Sequence, residues 1–301
     1  MTYLHSNKND FYNLIQLASS DTNLSAQAIE KDYYISLFLR LMSSKLDYIV
    51  FKGGTSLSKC YGLINRFSED IDITIDRKLT QGEKKKIKNS IIDVSNELNL
   101  SIENIDDIRS RRDYNRYVIS YNSVIKEMSN YLNPAIILET SYISVSYPIN
   151  KIEVNNYIGK LLNKNNQELE SKFCLEPFKM KVQSTERTLI DKIFAICDYY
   201  LANKINRHSR HIYDIYKILP AVDLNDDFKS LIKEVRNDRL NSPICLSAQS
   251  DININNLLKD IVINDIYLED YQNITLQLLG DKTSYKEAIS SLETIIKSDI
   301  F

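Results

Sequence analysis

Two short segments most constrain the fold of this chain. The first is apolar and ends at two glycines, and the second, which follows closely, alternates apolar and polar residues. Residues 47–51 (DYIVF) are typical of a buried strand, which the pair Gly53-Gly54 ends. Residues 71–75 (IDITI) alternate apolar and polar side chains, as a half-buried strand does. Between these strands, residues 56–64 are compatible with a helix. The order strand, helix, strand predicts an α/β fold with a small mixed sheet covered by helices.

The rest of the chain adds helices at both ends and further strands between them. Periodic apolar positions predict helices over 9–45, 80–98, 184–202 and 207–219, and alternation predicts strands over 117–121 and 135–139. From about residue 222 onward the pattern is mostly helical. We therefore expect two domains: residues 1–150, a mixed domain with leading helices, and residues 151–301, a mostly helical domain.

Composition excludes several classes of protein. Of the 301 residues, 43% are hydrophobic and 26% are charged, the balance of a globular protein. The sequence has neither an apolar run of membrane-spanning length nor the pattern of a signal peptide, so a cytoplasmic location is expected. The four cysteines form no CxxC pair, which argues against a zinc site and a disulfide framework. The net charge of −2 gives no general attraction to nucleic acid.

Two carboxylates, Asp70 and Asp72, stand two positions apart in the alternating segment. Side chains at i and i+2 of a strand share a face, so both acids are predicted on one face while Ile71 and Ile73 enter the core. Adjacent carboxylates repel each other unless a cation neutralises them. Because magnesium takes a few carboxylates together with substrate phosphates, we predict that Asp70 and Asp72 bind Mg²⁺.

The glycine turn supplies the other half of this prediction. Gly53 and Gly54 let backbone amides approach an anion, and a helix that begins at Thr55 or Ser56 would point its positive end at the same anion. A nucleoside triphosphate bound between the turn and the acid pair would place its phosphates near the backbone amides of the turn and near the magnesium that the acids hold. Either feature alone is common in ordinary turns and strand ends, but their coincidence indicates nucleotide chemistry.

Several segments resemble a known protein family. Residues 52–59 (KGGTSLSK) and 66–73 (RFSEDIDI) are similar to motifs of the AbiEii/AbiGii abortive-infection toxins. That family includes the MenT toxins and belongs to the DNA polymerase β-like nucleotidyltransferase superfamily. Further matching segments are 29–33 (IEKDY), 188–192 (TLIDK) and 210–214 (RHIYD), the last with His211 where an acid is common. The resemblance covers residues 29 to about 218 and implies a minimal nucleotidyltransferase core with a mostly helical C-terminal domain.

The resemblance also implies roles for individual residues. Asp70 and Asp72 would bind metal, Lys192 would neutralise phosphate charge, and Asp214 would complete the site from the second domain. Superfamily members often use a third carboxylate to deprotonate the attacking hydroxyl, and Glu139 is the candidate. The alternatives are a surface ion pair for Lys192 and Asp214 and a solvent-facing strand end for Glu139. The residues expected at the nucleotide are Gly53, Gly54, Thr55, Ser56 and Lys59.

A basic segment offers a surface for nucleic acid. Arg109, Arg111, Arg112 and Arg116 interleave with two tyrosines, a mixture that grips phosphates and stacks bases. We therefore predict that this segment contacts an RNA acceptor.

Together, the residues and the resemblance imply a metal-dependent nucleotidyltransferase that uses two magnesium ions. It would be the toxin of a type IV-like toxin–antitoxin system in abortive infection, an antiviral defence, with a cognate antitoxin as partner. It would transfer a nucleotide from an NTP to RNA, and the family resemblance implies that this RNA is tRNA. Two alternatives stay open: a small-molecule nucleotidyltransferase of the antibiotic-modifying type, and a nucleotide-binding regulator without catalysis. No membrane partner is expected.

Overall fold

A computed structural model describes residues 2–66, 68, 70–126, 133–240 and 242–301. Phe67 and Glu69 of the RFSEDIDI segment lie outside the described residues. The chain forms two compact units. The first comprises Met1–Thr55, Glu69–Tyr142 and Asn150–Val182, and the second comprises Ser56–Ser68, Ile143–Ile149 and Gln183–Phe301.

The predicted division into 1–150 and 151–301 differs from these units at residues 150–182. That stretch belongs to the first unit, because two of its segments form strands of the sheet there. As a division into domains, the boundary near residue 150 stays a prediction.

Within the described ranges, seven strands form one mixed sheet. In chain order they are β1 (Ile49–Lys52), β2 (Asp70–Ile75), β3 (Ser101–Ile102), β4 (Tyr114–Ser120), β5 (Ala135–Val145), β6 (Ile149–Val154) and β7 (Phe178–Gln183). Their order across the sheet is β3-β4-β5-β2-β1-β7-β6. β1 pairs antiparallel with β2 and parallel with β7, and β4 pairs antiparallel with β3 and β5. Strand β2 therefore has β5 on one side and β1 on the other.

Helices precede and follow the strands of the first unit. They are α1 (Lys8–Thr22), α2 (Ala26–Lys45), α3 (Gly53–Ser56), α4 (Gln81–Glu97), α5 (Tyr157–Asn165) and α6 (Gln167–Lys172). Helix α2 begins where the Ser25 hydroxyl accepts the amide of Ala28, and α4 begins with a capping box between Thr80 and Glu83. The short α3 continues as a π-helical turn over Leu57–Tyr61.

The second unit is mostly helical. It contains α7 (Thr185–Leu201), α8 (Arg210–Ile218), α9 (Asp226–Arg239), α10 (Ile254–Ile263), α11 (Leu268–Asp270), α12 (Leu276–Leu278) and α13 (Tyr285–Ser298). Its core is a cluster of apolar side chains that includes Phe194, Tyr213 and Leu292, none of which is exposed. The predicted fold class, a mixed α/β fold with a mostly helical C-terminal part, is confirmed.

None of the helices in the described part of the chain is long and apolar enough to cross a membrane. The predicted cytoplasmic location stays a prediction.

Candidate active site

Strand β2 separates acidic from apolar side chains as its alternation predicts. Ile71 and Ile73 are completely buried, whereas Asp70 and Asp72 are only half-buried. The strand therefore presents both carboxylates on one face, because successive side chains of a strand point to opposite faces. The apolar face anchors the strand in the core and fixes the position of the acids.

The glycine turn lies directly against the acid strand. Lys52, the last residue of β1, pairs in register with Asp72, and the next residue, Gly53, has a φ of +80°. A Cβ atom at Gly53 would overlap Oδ2 of Asp72, so both the backbone angle and the space require glycine. The Thr55 hydroxyl then donates a hydrogen bond of 2.6 Å to the Asp70 carbonyl oxygen. These contacts tie the turn to the acid strand at two points.

A third carboxylate, Glu139, lies with this pair. It is on β5, which neighbours β2 in the sheet. Burial and the negative charges of Asp72 and Asp70 raise the pKa of Glu139, while a hydrogen bond from Tyr114 and the charge of Arg116 oppose that rise. The structure thus brings together the three predicted carboxylates Asp70, Asp72 and Glu139, which we call the acid group.

The donor chemistry of the acid group fits a hard divalent cation. Among the residues that the structure describes, no group of three or more His, Cys, Asp and Glu side chains is placed so that it could hold a metal ion. The oxygens of Asp70 and Asp72 nevertheless suit magnesium, which takes few protein ligands and completes its shell with water and phosphate. After burial, the raised pKa of Glu139 reflects neighbouring negative charge, that of Asp72 and then that of Asp70. A bound cation would balance it, so the residues fit the predicted ion.

The second unit holds a different arrangement around Asp214, on α8. This carboxylate is completely buried and accepts two hydrogen bonds from the Arg66 guanidinium, at 2.6 and 2.8 Å. The Lys192 ammonium of α7 lies 2.7 Å from Oδ2 of Asp214, the oxygen that Arg66 Nη2 also contacts. Burial alone would raise the pKa of Asp214, but the charges of Arg66 and Lys192 hold it well below its ordinary value. Asp214 is therefore ionised within a buried ion pair network, not a surface pair.

A neutral histidine adjoins this network. The Lys192 ammonium lies 3.2 Å from Nδ1 of His211. Burial and the nearby charges of Lys192 and Arg210 hold the pKa of His211 well below its ordinary value, so the imidazole is neutral at neutral pH. Burial also lowers the pKa of Lys192, and the attraction of Asp214 only partly opposes this. We call Arg66, Lys192, His211 and Asp214 the cation cluster, in which two cations contact one buried carboxylate.

Arg66 was not among the predicted site residues. It stands 148 positions before its partner Asp214 in the sequence, and no local pattern indicates such a contact. Tyr114, which hydrogen-bonds Glu139, was noted only as part of the basic segment. Both residues support a predicted carboxylate, and only the tertiary structure shows it.

The remaining nucleotide-binding candidates follow the glycine turn. Gly54, Thr55 and Ser56 are buried, and Lys59 is half-buried in the π-helical turn. Their predicted contact with a nucleotide stays a prediction.

The predicted RNA-binding arginines have different surroundings. The guanidinium groups of Arg109 and Arg112 donate to backbone carbonyls of their own loop, at Ile108 and Asp107. Arg111 is exposed. Arg116 lies 3.8 Å from the Glu139 carboxylate, so it is the member of this segment that meets the acid group. RNA contact by the segment stays a prediction.

Comparison with known proteins adds a family and a set of structural neighbours. The model of the nucleotidyl transferase AbiEii toxin family, type IV toxin–antitoxin system, matches residues 37–296. No curated protein matches the chain. The structure is similar to JHP933 from Helicobacter pylori, at 18% identity and a TM-score of 0.48 over 91% of this chain and 92% of the other. It is also similar to MenT4, a nucleotidyltransferase toxin from Mycobacterium tuberculosis H37Rv, at 12% identity and a TM-score of 0.44, over 94% and 98% of the two chains.

Proposed function

Because the chain belongs to the nucleotidyl transferase AbiEii toxin family of type IV toxin–antitoxin systems, we propose that it transfers a nucleotide from an NTP to an RNA hydroxyl. The proposed acceptor is tRNA, as the family resemblance implies. The observation that carries the proposal is the acid group beside the glycine turn, where Gly53 fits against Asp72 and Glu139 adds a third negative charge. A binding-only module has no need for such a repulsive set of carboxylates.

In this proposal Asp70 and Asp72 hold two magnesium ions. Bound there, magnesium supplies positive charge to the triphosphate and to the transition state. The Gly53-Gly54 turn accepts the phosphates, because backbone amides and a helix start lie next to the acids.

Glu139 then acts as the general base. The acceptor hydroxyl oxygen forms a bond to the α-phosphorus, and the bond between that phosphorus and its bridging oxygen to the β-phosphate breaks. Pyrophosphate leaves, and the hydroxyl proton passes to the Glu139 carboxylate. A raised pKa makes Glu139 a stronger base than an ordinary carboxylate, which suits this role.

The cation cluster has a separate task in this proposal. Lys192 neutralises phosphate charge, Asp214 holds Lys192 in place at 2.7 Å, and Arg66 holds Asp214 by hydrogen bonds to both of its carboxylate oxygens. The family resemblance implies this role for Lys192.

The proposal is tested by labelling. The protein is incubated with each α-labelled NTP, magnesium and total RNA, and the products are separated into RNA and small-molecule fractions. We expect label in a tRNA-sized RNA, no label with Asp70→Ala, and normal labelling with Asp93→Asn, which changes an exposed acid of α4. Label in a small molecule alone would favour the antibiotic-modifying alternative, and no label with any NTP would contradict the proposal.

Membership of the toxin family also leads us to expect an effect on cell growth. Expression should arrest growth, and a cognate antitoxin should relieve the arrest. Because the effect depends on transfer, the Asp70→Ala variant should be harmless at the same expression level. A toxic Asp70→Ala variant would separate toxicity from nucleotide transfer.

A further inference from the structure

Lys192 of the cation cluster contacts two groups on one face of a neighbouring helix. Its ammonium lies 2.7 Å from Oδ2 of Asp214 and 3.2 Å from Nδ1 of His211. Both partners belong to α8, and positions three apart share one face of a helix. Because the lysine side chain is a flexible four-carbon chain, the second contact restricts where its ammonium can lie.

The chemistry of the second contact defines the protonation state of His211. An ammonium has three donors and no acceptor, so Nδ1 of His211 accepts the hydrogen bond. The imidazole is therefore neutral and carries its proton on Nε2. Burial and the charges of Lys192 and Arg210 lower the pKa of His211, which favours the same neutral form. His211 thus holds the ammonium without placing negative charge beside it.

Neighbouring rings hold the imidazole of His211 in one orientation. It lies parallel to the rings of His208 and Tyr199, with interplanar angles of 2° and 10° and centroid distances of 6.0 and 5.8 Å. Tyr199 and His208 are themselves stacked, with their centroids 3.4 Å apart. Because rotation of the imidazole would disrupt this parallel packing, Nδ1 stays directed at Lys192.

The segment that leads into α8 is fastened to the rest of the second unit. The Asp270 carboxylate of α11 accepts hydrogen bonds from the backbone amides of Arg207, at 2.6 Å, and Ser209, at 3.0 Å. The Ser209 hydroxyl also lies 2.7 Å from that of Thr275. These bonds fix the start of α8 and with it the position of His211. The imidazole is therefore supported by groups that are themselves held in place.

We propose that His211 is a positioning residue, whose neutral imidazole holds the Lys192 ammonium so that one of its N–H bonds meets a phosphate oxygen of the NTP. Asp214 and His211 accept two N–H bonds of this ammonium, which has three. The Lys192 side chain is 10% exposed, so part of it stays accessible to a ligand. This inference rests on the proposed function, in which Lys192 neutralises phosphate charge.

Equilibrium binding tests this role without requiring transfer. Each NTP is titrated calorimetrically into the full chain with magnesium and without RNA. We expect His211→Leu to weaken the binding of the tightest NTP about tenfold, because it removes an acceptor from a charged donor. His211→Asn, whose amide oxygen can accept the same hydrogen bond, should stay within about threefold of wild type. His5→Leu, which changes a histidine of the first unit that contacts Tyr33, should bind as wild type. Wild-type affinity of His211→Leu, equal losses in His211→Leu and His211→Asn, or no NTP binding by wild type would overturn the proposal.

A double-mutant cycle separates positioning from a purely structural role. Lys192→Gln should weaken NTP binding by itself, because it removes a charge-assisted contact. Adding His211→Leu to Lys192→Gln should weaken binding by less than about twofold more, since His211 acts through Lys192. Unfolding in urea checks that each variant is folded. The full loss from both substitutions in the double variant, or wild-type binding by Lys192→Gln, would overturn the proposal.

Nitrogen-15 NMR of the histidine rings tests the contact in the protein alone. At neutral pH we expect His211 to show an unprotonated Nδ1 and a protonated Nε2, and the Nδ1 signal to shift in Lys192→Gln. A ring protonated on Nδ1 would overturn the proposal. The proposed function can fail separately: if His211 and Lys192 control NTP binding but no label reaches RNA, the positioning role stands and the transfer proposal falls.

Discussion

The two units each hold a group of charged side chains, and the two groups differ in how charge is balanced. In the acid group, carboxylates lie beside carboxylates, Asp70 and Asp72 stay half-buried, and the pKa of Glu139 is raised. In the cation cluster, opposite charges bond directly and Asp214 is completely buried. The buried carboxylate of the cation cluster is compensated by direct contacts within the protein, whereas the neighbouring like charges of the acid group favour an added cation. This difference predicts which substitutions affect function and which affect stability.

The largest expected effect is on transfer by the acid group. Asp72→Asn should lower the rate by about 10²–10³-fold or more, the scale of losing one group that stabilises charge in a transition state. Its free energy of unfolding without magnesium should be unchanged or higher, because the substitution relieves repulsion among the carboxylates. Transfer assays and denaturant unfolding measure the two quantities. A strongly destabilised Asp72→Asn protein would show that the acid group is structural after all.

The same kind of substitution in the cation cluster should, in contrast, lower the stability of the protein. Asp214→Asn removes the charge of the buried carboxylate that Arg66 and Lys192 both contact, and breaking a buried pair in this way typically costs about 3–5 kcal/mol. Unfolding in urea measures the loss. Stability equal to that of wild type would mean that water or another group compensates the two cations, and the distinction between the two groups would fail.

The glycine turn provides a smaller and matched pair of substitutions. Gly53→Ala should destabilise the protein by more than about 1 kcal/mol, since Gly53 has a positive φ and no room for a Cβ beside Asp72. Gly82→Ala should be neutral or stabilising by up to about 1 kcal/mol, because Gly82 lies in α4 with its nearest neighbour at 3.9 Å. Thermal unfolding of the two variants measures both changes in stability. Similar losses of stability in the two variants would count against a special fit at Gly53.

The smallest expected effect concerns the exposed basic segment. Replacing Arg111 and Arg112 by Gln should flatten the dependence of RNA affinity on salt by roughly one unit of slope per lost phosphate contact. The affinity for NTP should hardly change. RNA titrations across a salt series check this, and identical slopes would restrict RNA contact to other residues such as Arg116.

Local pattern predicted the elements that carry the acids. The alternation of β2 fixes the faces of Asp70 and Ile71, and the periodicity of residues 184–202 and 207–219 predicts α7 and α8 closely. Strand β7 was not predicted, although Phe178, Met180 and Val182 alternate with polar residues and carry a usable signal.

Contacts between residues far apart in the chain could not be predicted from the local sequence pattern. The pairing of Arg66 with Asp214 and the fastening of α2 by Glu30 to Ser123 join positions 148 and 93 residues apart. Pattern indicates which face of an element is buried, but the partner on the other side depends on the packing of whole elements. For this reason the three carboxylates, Lys192 and Asp214 were predicted individually, whereas the contact of Arg66 with Asp214 was not.

The most direct test of the central claim is magnesium binding without nucleotide. Titration calorimetry and thermal unfolding are carried out on wild type, Asp72→Asn and Asp93→Asn. We predict that magnesium binds and stabilises wild type and Asp93→Asn, and that Asp72→Asn loses both responses, because Asp72 belongs to the acid group whereas Asp93 is an exposed acid of α4. Equal magnesium binding and stabilisation of Asp72→Asn and wild type would contradict the account.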